Sequence, residues 1–324
     1  MNIEILQSKN NRIIAVLIAV SFISCLAYTF YKLNPSQIGY AMSLRMPKLI
    51  VMAIVAYAIG KASIIFQSII NNTIVTPCLL GMNSLYTLIH TSVVFFLGSQ
   101  SIFARDANIS FLLDLILMGV VATVIYKYLF EKTKYNVLYV LLTGTILASF
   151  FTSIQSSMIR VMDPNEYDAL LSSLVASFSN INSNLIGISI VALVVITFLL
   201  RKQTKLLDVI ALGKDQAINL GVDFDKTITK LLLGVTLYIA VATALVGPIS
   251  FLGLIIANLS RQLLQTYKHS YLIAGCVFIG VVVLVVAQTV VERIYIYSMP
   301  ISVFISVAGG CYFLYLLLKQ RKAY

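Results

Sequence analysis

The sequence predicts an all-α polytopic membrane protein with about ten transmembrane helices. Hydrophobic residues make up 60% of its 324 residues, charged residues only 11%, and the mean hydropathy is +0.95. Soluble domains contain roughly 45–50% apolar and about 25% charged residues, so a chain this apolar could not hide its hydrophobic surface from water. The composition excludes a soluble enzyme, a nucleic-acid-binding domain and a disordered chain, although the net charge is +11.

Apolar stretches predict the number of crossings. A helix needs about 20 apolar residues to cross the hydrocarbon core. Such stretches lie at 13–31, 49–70, 81–98, 111–130, 136–158, 184–200, 229–246, 271–291 and 301–318. A shorter apolar stretch, 251–264, follows the Gly247-Pro248 break, and it is predicted to be a short span or a half-helix covered by the bundle. Counting it gives ten crossings, which place both termini on one side.

The distribution of basic residues predicts that this side is the cytoplasm, because cytoplasmic loops are enriched in Lys and Arg. With an inner N-terminus, Lys61 lies within a span, and the inner loops hold Lys9, Arg12, Lys127, Lys132, Lys134, Arg201, Lys202, Lys205, Lys214, Lys226, Lys230, Arg261, Lys268, Lys319, Arg321 and Lys322. The outer loops hold only Lys32, Arg45, Lys48, Arg105, Arg160 and Arg293. Both termini are therefore predicted to be cytoplasmic.

Two segments between the spans carry structure of their own. The outer segment 159–183 contains an acidic start at Asp163 and is predicted to form a re-entrant helix over about 163–177 that dips against the bundle. The cytoplasmic segment 201–228 mixes apolar residues at three- to four-residue spacing with basic residues and aspartates. This pattern predicts two short amphipathic helices around Gly213 that dock a cytoplasmic partner. An interfacial helix on anionic lipid is the alternative.

No motif for catalysis or metal binding is found in the sequence. It contains no G-x-x-x-x-G-K-S/T loop for ATP, no G-x-S-x-G elbow and no H-E-x-x-H pair. Its four cysteines are scattered through apolar stretches, and its two histidines form no cluster with them. We therefore predict no catalytic residue, no metal ligand and no cofactor, which argues against a membrane-embedded enzyme.

Few ionisable residues lie within the predicted spans. Lys61 is the main one, and an intramembrane charge is a candidate for the substrate path, with a snorkelling lysine as the alternative. Asp114 begins a span and is expected to be a helix-start acid near the outer surface. A carrier driven by protons or sodium would need acidic residues near the midplane. The pattern thus favours a permease driven by a separate subunit over a stand-alone secondary transporter.

Four stretches stand in order across nearly the whole chain: Arg45-Met46-Pro47-Lys48; NTIVTPCLLG from Asn72 to Gly81, preceded by Gln67; ALGKDQAINLGV from Ala211 to Val222; and GPISFLGLIIANLSR from Gly247 to Arg261. Together they resemble motifs of the membrane permeases of iron–siderophore, haem and vitamin B12 ABC importers. Thr73 replaces a family proline, and Ala257 and Asn258 replace a Pro-His pair. Residues 66–84 and 298–315 look most like the branch for petrobactin and other catecholate siderophores.

The resemblance implies a BtuC-like type II ABC importer permease in a bacterial cell membrane, formed by residues 1–324 as a single domain. It implies import of an iron–siderophore complex, with catecholate cargo favoured and haem or cobalamin as alternatives. The implied partners are a cytoplasmic ABC ATPase dimer that binds the ATP, an extracytoplasmic siderophore-binding lipoprotein, membrane lipid, and a second permease that is either a paralogue or a copy of this chain.

The resemblance also implies roles for individual residues. The family's coupling helices, which contact the ATPase, correspond to Leu212, Gly213, Lys214, Asp215, Ala217, Leu220 and Gly221. Lys214 stands where the family usually has an acid. Outer basic residues that dock the binding protein correspond to Arg45, Lys48 and Arg293. Candidates for the translocation path or gate are Lys61, Gln67, Asn71, Asn72 and Asn83, and the last four have capping of a turn as the alternative role.

Overall fold

A computed structural model describes residues 3–32, 38–133, 137–178 and 182–321, and the regular elements in these ranges are helices. In chain order they are α1 (Ile3–Phe30), α2 (Ile38–Ile70), α3 (Met82–Leu97), α4 (Ile102–Arg105), α5 (Ala107–Lys132), α6 (Val137–Val161), α7 (Pro164–Leu174), α8 (Ser183–Leu199), α9 (Arg201–Lys205), α10 (Leu207–Ile210), α11 (Lys214–Asn219), α12 (Phe224–Val246), α13 (Leu252–Leu263), α14 (His269–Arg293) and α15 (Ile301–Arg321). A 3-10 helix, Pro77–Leu80, precedes α3.

Every predicted span coincides with a helix, which confirms the all-α membrane fold. The helices α1, α2, α5, α6, α12 and α14 are long and apolar enough to cross a membrane, while α3, α8 and α15 are shorter apolar helices. The twelve residues of α13 cover only about 18 Å, well short of the roughly 30 Å hydrocarbon core. Two basic residues counted in the inner set, Lys134 and Lys322, lie outside the described residues, as does residue 136.

The second span begins earlier than its apolar stretch. Helix α2 starts at Ile38, so Arg45 and Lys48 lie inside the helix and Pro47 is an interior proline. A helix can extend beyond the hydrocarbon core, where water solvates polar side chains, and an apolar count therefore misses its first turns. The proline costs one backbone hydrogen bond, since it has no N–H to donate.

The expectation for Asp114 was wrong. Asp106 is the residue that caps α5, because its side chain accepts hydrogen bonds from the backbone N–H groups of Asn108 and Ile109. Asp114 lies two turns further along, where it is buried and its Oδ2 is 2.9 Å from Nδ1 of His90 on α3. The helix begins at polar residues that the apolar count excluded, and that shifts Asp114 from the helix start to the interior.

Helix α2 forms the centre of the bundle. Almost every residue from Val51 to Ile70 is buried, because α8, α12, α13 and α14 all pack against it. The surrounding helices leave large apolar side chains exposed, among them Phe22 on α1, Val120 on α5 and Val194 on α8. These exposed apolar faces are the surfaces that lipid covers in a membrane.

Three segments outside the α-helices, 71–81, 175–178 and 247–251, meet inside the bundle, and the first contains the 3-10 helix Pro77–Leu80. Cys78 Sγ contacts Ile249 O at 3.8 Å and so joins the first segment to the third. Each segment is also bonded to a helix: Asn83 Nδ2 of α3 to Ser250 Oγ (3.4 Å), Ser177 N to Val246 O of α12 (2.9 Å), and Tyr126 Oη of α5 to Leu80 O (2.8 Å). Non-helical backbone at membrane depth is tolerated only where protein or a cavity covers it. Here the surrounding helices cover the buried residues of these segments, such as Val75, Ala176 and Ile249. The outer helix α7 ends at Leu174, earlier than expected, and buried Ala176 and Phe178 then enter the bundle.

Candidate functional site

The coupling segment, residues 201–228, contains three short helices, α9, α10 and α11, where two were expected. Gly213 connects α10 to α11 with φ of 101°, a backbone conformation that side-chain-bearing residues rarely adopt. Ala217 is completely buried and anchors α11 against the protein body. The segment is therefore a folded surface fixed to the spans.

Three apolar side chains of the coupling segment remain exposed on the cytoplasmic side. Leu212 is 53% exposed, Ile218 50% and Leu220 63%, and we call these three residues the coupling patch. Asp215 lies exposed in the first turn of α11, and Gly221 follows its end. Exposed apolar groups with a polar rim are typical of a protein interface.

Ion pairs fix the polar residues around the coupling patch. Lys214 donates to Asp225 Oδ1 at 3.1 Å, and its ammonium also lies 5.7 Å from the ring centre of Phe224. Asp223 caps α12 and pairs with Lys226 at 2.7 Å. The hydrogen bond and charge of Lys226 hold the pKa of the Asp223 carboxyl below its ordinary value.

Asp208 connects the coupling segment to α14. Its Oδ1 accepts a hydrogen bond from the backbone N–H of His269 at 2.9 Å and also contacts the Nδ1 of that histidine. His269 is the first residue of α14 and is buried. Asp208 thus joins α10 directly to the inner end of a long spanning helix. The two residues are 61 positions apart, and no local motif indicated their pairing.

Gln67 is at the centre of a polar cluster near the inner ends of α2 and α13. Its Nε2 donates to Thr73 O at 2.6 Å, and its Oε1 accepts from Arg261 Nε at 3.1 Å. Asn258, which occupies the family's histidine position, donates to the same Thr73 carbonyl at 2.9 Å. The cluster holds the turn after α2 against α13. In this conformation the side chain of Gln67 therefore stabilises that turn.

The three asparagines predicted to line the translocation path or gate lie in two different places. Asn71 has φ of 52°, a left-handed conformation that asparagine tolerates, and Asn72 Oδ1 accepts from Ile74 N at 2.9 Å. Both residues shape the turn beside Gln67. Asn83 lies apart from them against Ser250, and its buried Oδ1 meets no donor in the described part of the chain.

Lys61 faces away from the Gln67 cluster. Its ammonium donates to the Tyr57 hydroxyl at 3.0 Å and to Thr197 Oγ1 at 3.4 Å. The ring centres of Tyr57 and Tyr238 lie 5.3 Å and 5.1 Å from it. Lys61 therefore lies between α2, α8 and α12, whereas Gln67 contacts Arg261 on α13.

The three residues predicted to dock the binding protein differ in their contacts within the permease and in their exposure. Arg45 donates to the carbonyls of Tyr28 and Thr29 in the last turn of α1 and of Tyr31 just beyond it. Lys48 pairs with Glu292 at 2.7 Å. Arg293 is exposed, with its guanidinium 5.7 Å from the ring centre of Tyr31. Arg293 is thus the most accessible of the three.

Helix α6 presents a stripe of exposed hydroxyl groups that the sequence reading did not single out. Thr145, Ser149, Thr152 and Ser156 are exposed and recur every three or four residues, so they share one face. The hydroxyls of the first three donate to carbonyls of their own helix. Their oxygens remain able to accept hydrogen bonds, which gives a mildly polar wall without charge. A 3.6-residue period of Ser and Thr was the signal that could have identified it.

These features define the non-catalytic permease subunit of an ABC importer: an all-helical bundle, covered breaks at membrane depth and a folded cytoplasmic coupling surface. The chain belongs to the FecCD transport family, which it matches over residues 12–319. Family membership confirms the prediction of a multi-pass permease in a bacterial cell membrane.

Similar proteins cover almost the whole chain. It is 39% identical to the petrobactin import system permease protein YclO of Bacillus subtilis, over 98% of this chain and 100% of the relative. It is 31% identical to the petrobactin import system permease protein FatC of Bacillus anthracis, over 95% and 88%. A solved inward-facing structure of a metal-chelate type ABC transporter has a TM-score of 0.79 at 20% identity, over 96% and 99%, and supports the fold.

Proposed function

We propose that this permease carries an iron–siderophore complex of the petrobactin type, a catecholate siderophore, into the cytoplasm. The observation that carries the proposal is the full-length similarity to two petrobactin import permeases. Haem and cobalamin are the alternative cargos within the same architecture. A siderophore already surrounds its iron with oxygen donors, so the permease needs a wide passage and no metal ligands of its own.

The exposed hydroxyl face of α6 supports a role in that passage. Thr145, Ser149 and Thr152 offer oxygen acceptors along a helix whose only charged residue is Arg160. Weak, uncharged contacts suit a path that must release its cargo. The proposed passage lies between this face and the same region of a second permease, either a copy of this chain or a paralogue.

The proposed partners follow from the surfaces described above. A cytoplasmic ABC ATPase dimer docks on the coupling patch, binds ATP and supplies the energy. An extracytoplasmic siderophore-binding lipoprotein docks on the outer side, where Arg293 is exposed and Arg45 and Lys48 lie in the first turns of α2. Rim charges of this kind mainly steer and orient the partner.

Uptake of labelled iron tests the proposal. The chain is expressed with its ATPase and binding protein in a bacterium that lacks its own petrobactin permeases, and iron-loaded petrobactin, haem and cobalamin are supplied separately. Uptake of ferric petrobactin alone, abolished when the ATPase is deleted, is the expected result. Uptake that persists after ATP depletion with the proton gradient intact contradicts an ATP-driven importer, and uptake of only haem or cobalamin contradicts the cargo.

A further inference from the structure

An apolar groove of about 620 Å³ runs between α2 and α8 on the surface of the bundle. Its lining includes Ile50, Ile54, Leu193, Val194, Phe198 and Arg201. The volume lies within the roughly 300–1,000 Å³ of typical small-molecule sites. Arg201, the first residue of α9, brings a positive charge to the cytoplasmic end of this apolar surface.

A second cation lies behind the wall of the groove. The hydroxyls of Tyr57 and Thr197, two further lining residues, hold the ammonium of Lys61. Lys61 is only 5% exposed, and among the described residues no carboxylate lies within ion-pair distance of it. Hydroxyls and the π-faces of Tyr57 and Tyr238 stabilise this cation but leave its charge unneutralised.

We propose that the groove binds one anionic phospholipid of the inner leaflet. One acyl chain lies along α2 and α8, and the phosphate lies between Arg201 and the hydroxyls that hold Lys61. Thr197 lies near the end of α8 and Arg201 begins α9, so both residues line the cytoplasmic end of the groove. Guanidinium groups pair bidentately with phosphate, and one basic residue near an anionic membrane surface contributes about 1 kcal/mol of attraction.

Charge and exposure favour a lipid over a protein partner at this groove. Helix α8 contains no charged residue, and its exposed side chains at the groove, such as Val194 and Phe198, are apolar. Positive charge is confined to the cytoplasmic end, which is where the headgroup of an inner-leaflet lipid lies. The groove also lies on the α8 side of α2, away from the Gln67 cluster beside α13 and from the α6 face assigned to cargo.

A single tryptophan reports the occupant, because the natural chain contains none. Phe198→Trp places the reporter in the groove, and Phe22→Trp places it on the exposed face of α1. The assembled transporter is reconstituted into vesicles of phosphatidylcholine with a fixed fraction of phosphatidylglycerol. Bromine is carried by the phosphatidylglycerol in one set and by an equal amount of phosphatidylcholine in the other, so that surface charge is constant and only the quencher differs.

Tryptophan at position 198 is expected to be quenched preferentially by brominated phosphatidylglycerol, and tryptophan at position 22 equally by both lipids. Arg201→Gln should lower the preference at position 198 about fivefold, as expected for one basic residue at an anionic surface. Lys61→Met should lower it as well, whereas the neighbouring Lys202→Gln should leave most of it intact.

Three results would overturn the proposal. Equal quenching by both lipids at position 198 would show that the groove has no selectivity for the anionic headgroup. Equal losses from Arg201→Gln and Lys202→Gln would show only a general attraction to the surface. Absence of quenching by either lipid in the assembled transporter would show that protein covers the groove. None of these outcomes depends on the cargo.

Discussion

Lys48 of α2 and Glu292 of α14 form an ion pair, with Nζ and Oε1 2.7 Å apart and side chains only 12% and 6% exposed. Glu292 also accepts hydrogen bonds from the Tyr28 hydroxyl at 2.9 Å and from Gln288 at 2.8 Å. The carboxylate therefore connects α1, α2 and α14 near their outer ends. Lys48, which the family resemblance assigns to partner docking, thus also joins α2 to this three-helix contact.

Removing one member of this pair should destabilise the protein strongly. Lys48→Met leaves the Glu292 carboxylate without its cation, and breaking such a buried pair costs about 3–5 kcal/mol. The double variant Lys48→Met/Glu292→Met should recover most of the loss, because no charge is then left unpaired. Thermal unfolding of the purified permease measures both effects.

The same double variant separates packing from docking. If Lys48 contacts the binding protein, the double variant will be stable but will bind that protein more weakly than the unmodified permease does. Normal binding by the stable double variant would restrict Lys48 to its structural role. A double variant as unstable as the single one would contradict the account of the ion pair.

The coupling patch should determine ATPase docking. Leu220→Ser replaces a 63% exposed side chain, so the fold should tolerate it. Loss of an apolar anchor should nonetheless weaken ATPase binding about tenfold or more, as at a typical interface hot spot. Co-purification of the ATPase with the permease measures the change.

Leu263→Ser is the matched control for the coupling patch. Leu263 is 46% exposed at the cytoplasmic end of α13, outside the coupling segment. This variant should retain the ATPase. An equal loss with both variants would indicate general damage to the cytoplasmic surface.

Asp208 should matter for transmission of ATPase movement, with little effect on docking. Asp208→Asn keeps the side-chain shape and an oxygen that can accept from the His269 N–H, but it removes the negative charge, which weakens this hydrogen bond by about 1 kcal/mol. ATP hydrolysis by the assembled complex should persist while uptake per ATP falls. Parallel assays of phosphate release and iron uptake measure this ratio, and an unchanged ratio would exclude Asp208 from the coupling route.

The sequence predicted a helix at every apolar stretch, although not where α2 begins, because an apolar run long enough to cross a bilayer has few other stable environments. It failed where distant residues meet. The pairings of Asp114 with His90 and of Lys48 with Glu292 join different helices, and neither has a local pattern. A lone charge in an apolar stretch looks the same whether it is paired or not.

The coupling segment shows a second limit of sequence reasoning. Its length and mixed composition predicted a folded docking surface, yet its division into three helices and the link to His269 depend on tertiary contacts. The roles of individual residues came from family motifs, and those motifs do not reveal which side chains are buried. Ala217 and Leu220 stand in one motif, but one is buried and the other exposed.

Gly247 is expected to tolerate no side chain. It ends α12 with φ of 90°, and a Cβ there would lie 2.9 Å from Ala176 Cα. Gly247→Ala should therefore cost about 1–3 kcal/mol of stability through backbone strain, and the clash adds to that cost. Gly310→Ala is the control, because a Cβ there meets nothing within 4 Å and alanine favours the helix. Thermal unfolding should show a loss for the first variant alone; equal behaviour of the two would contradict the tight approach of residues 175–178 to α12.

The α6 hydroxyl face should control the rate of cargo passage. Ser149 is exposed, so Ser149→Leu should leave stability unchanged while its larger apolar side chain narrows the passage and removes an acceptor. Uptake should fall about tenfold, equivalent to about 1.4 kcal/mol. Ser149→Ala removes the hydroxyl without adding bulk and should have a smaller effect, which separates width from polarity. Val120→Leu is the control. Val120 lies on α5 and is 60% exposed, so a larger side chain there should leave uptake unchanged. If Ser149→Leu transports at the normal rate, α6 faces lipid and the cargo passes elsewhere.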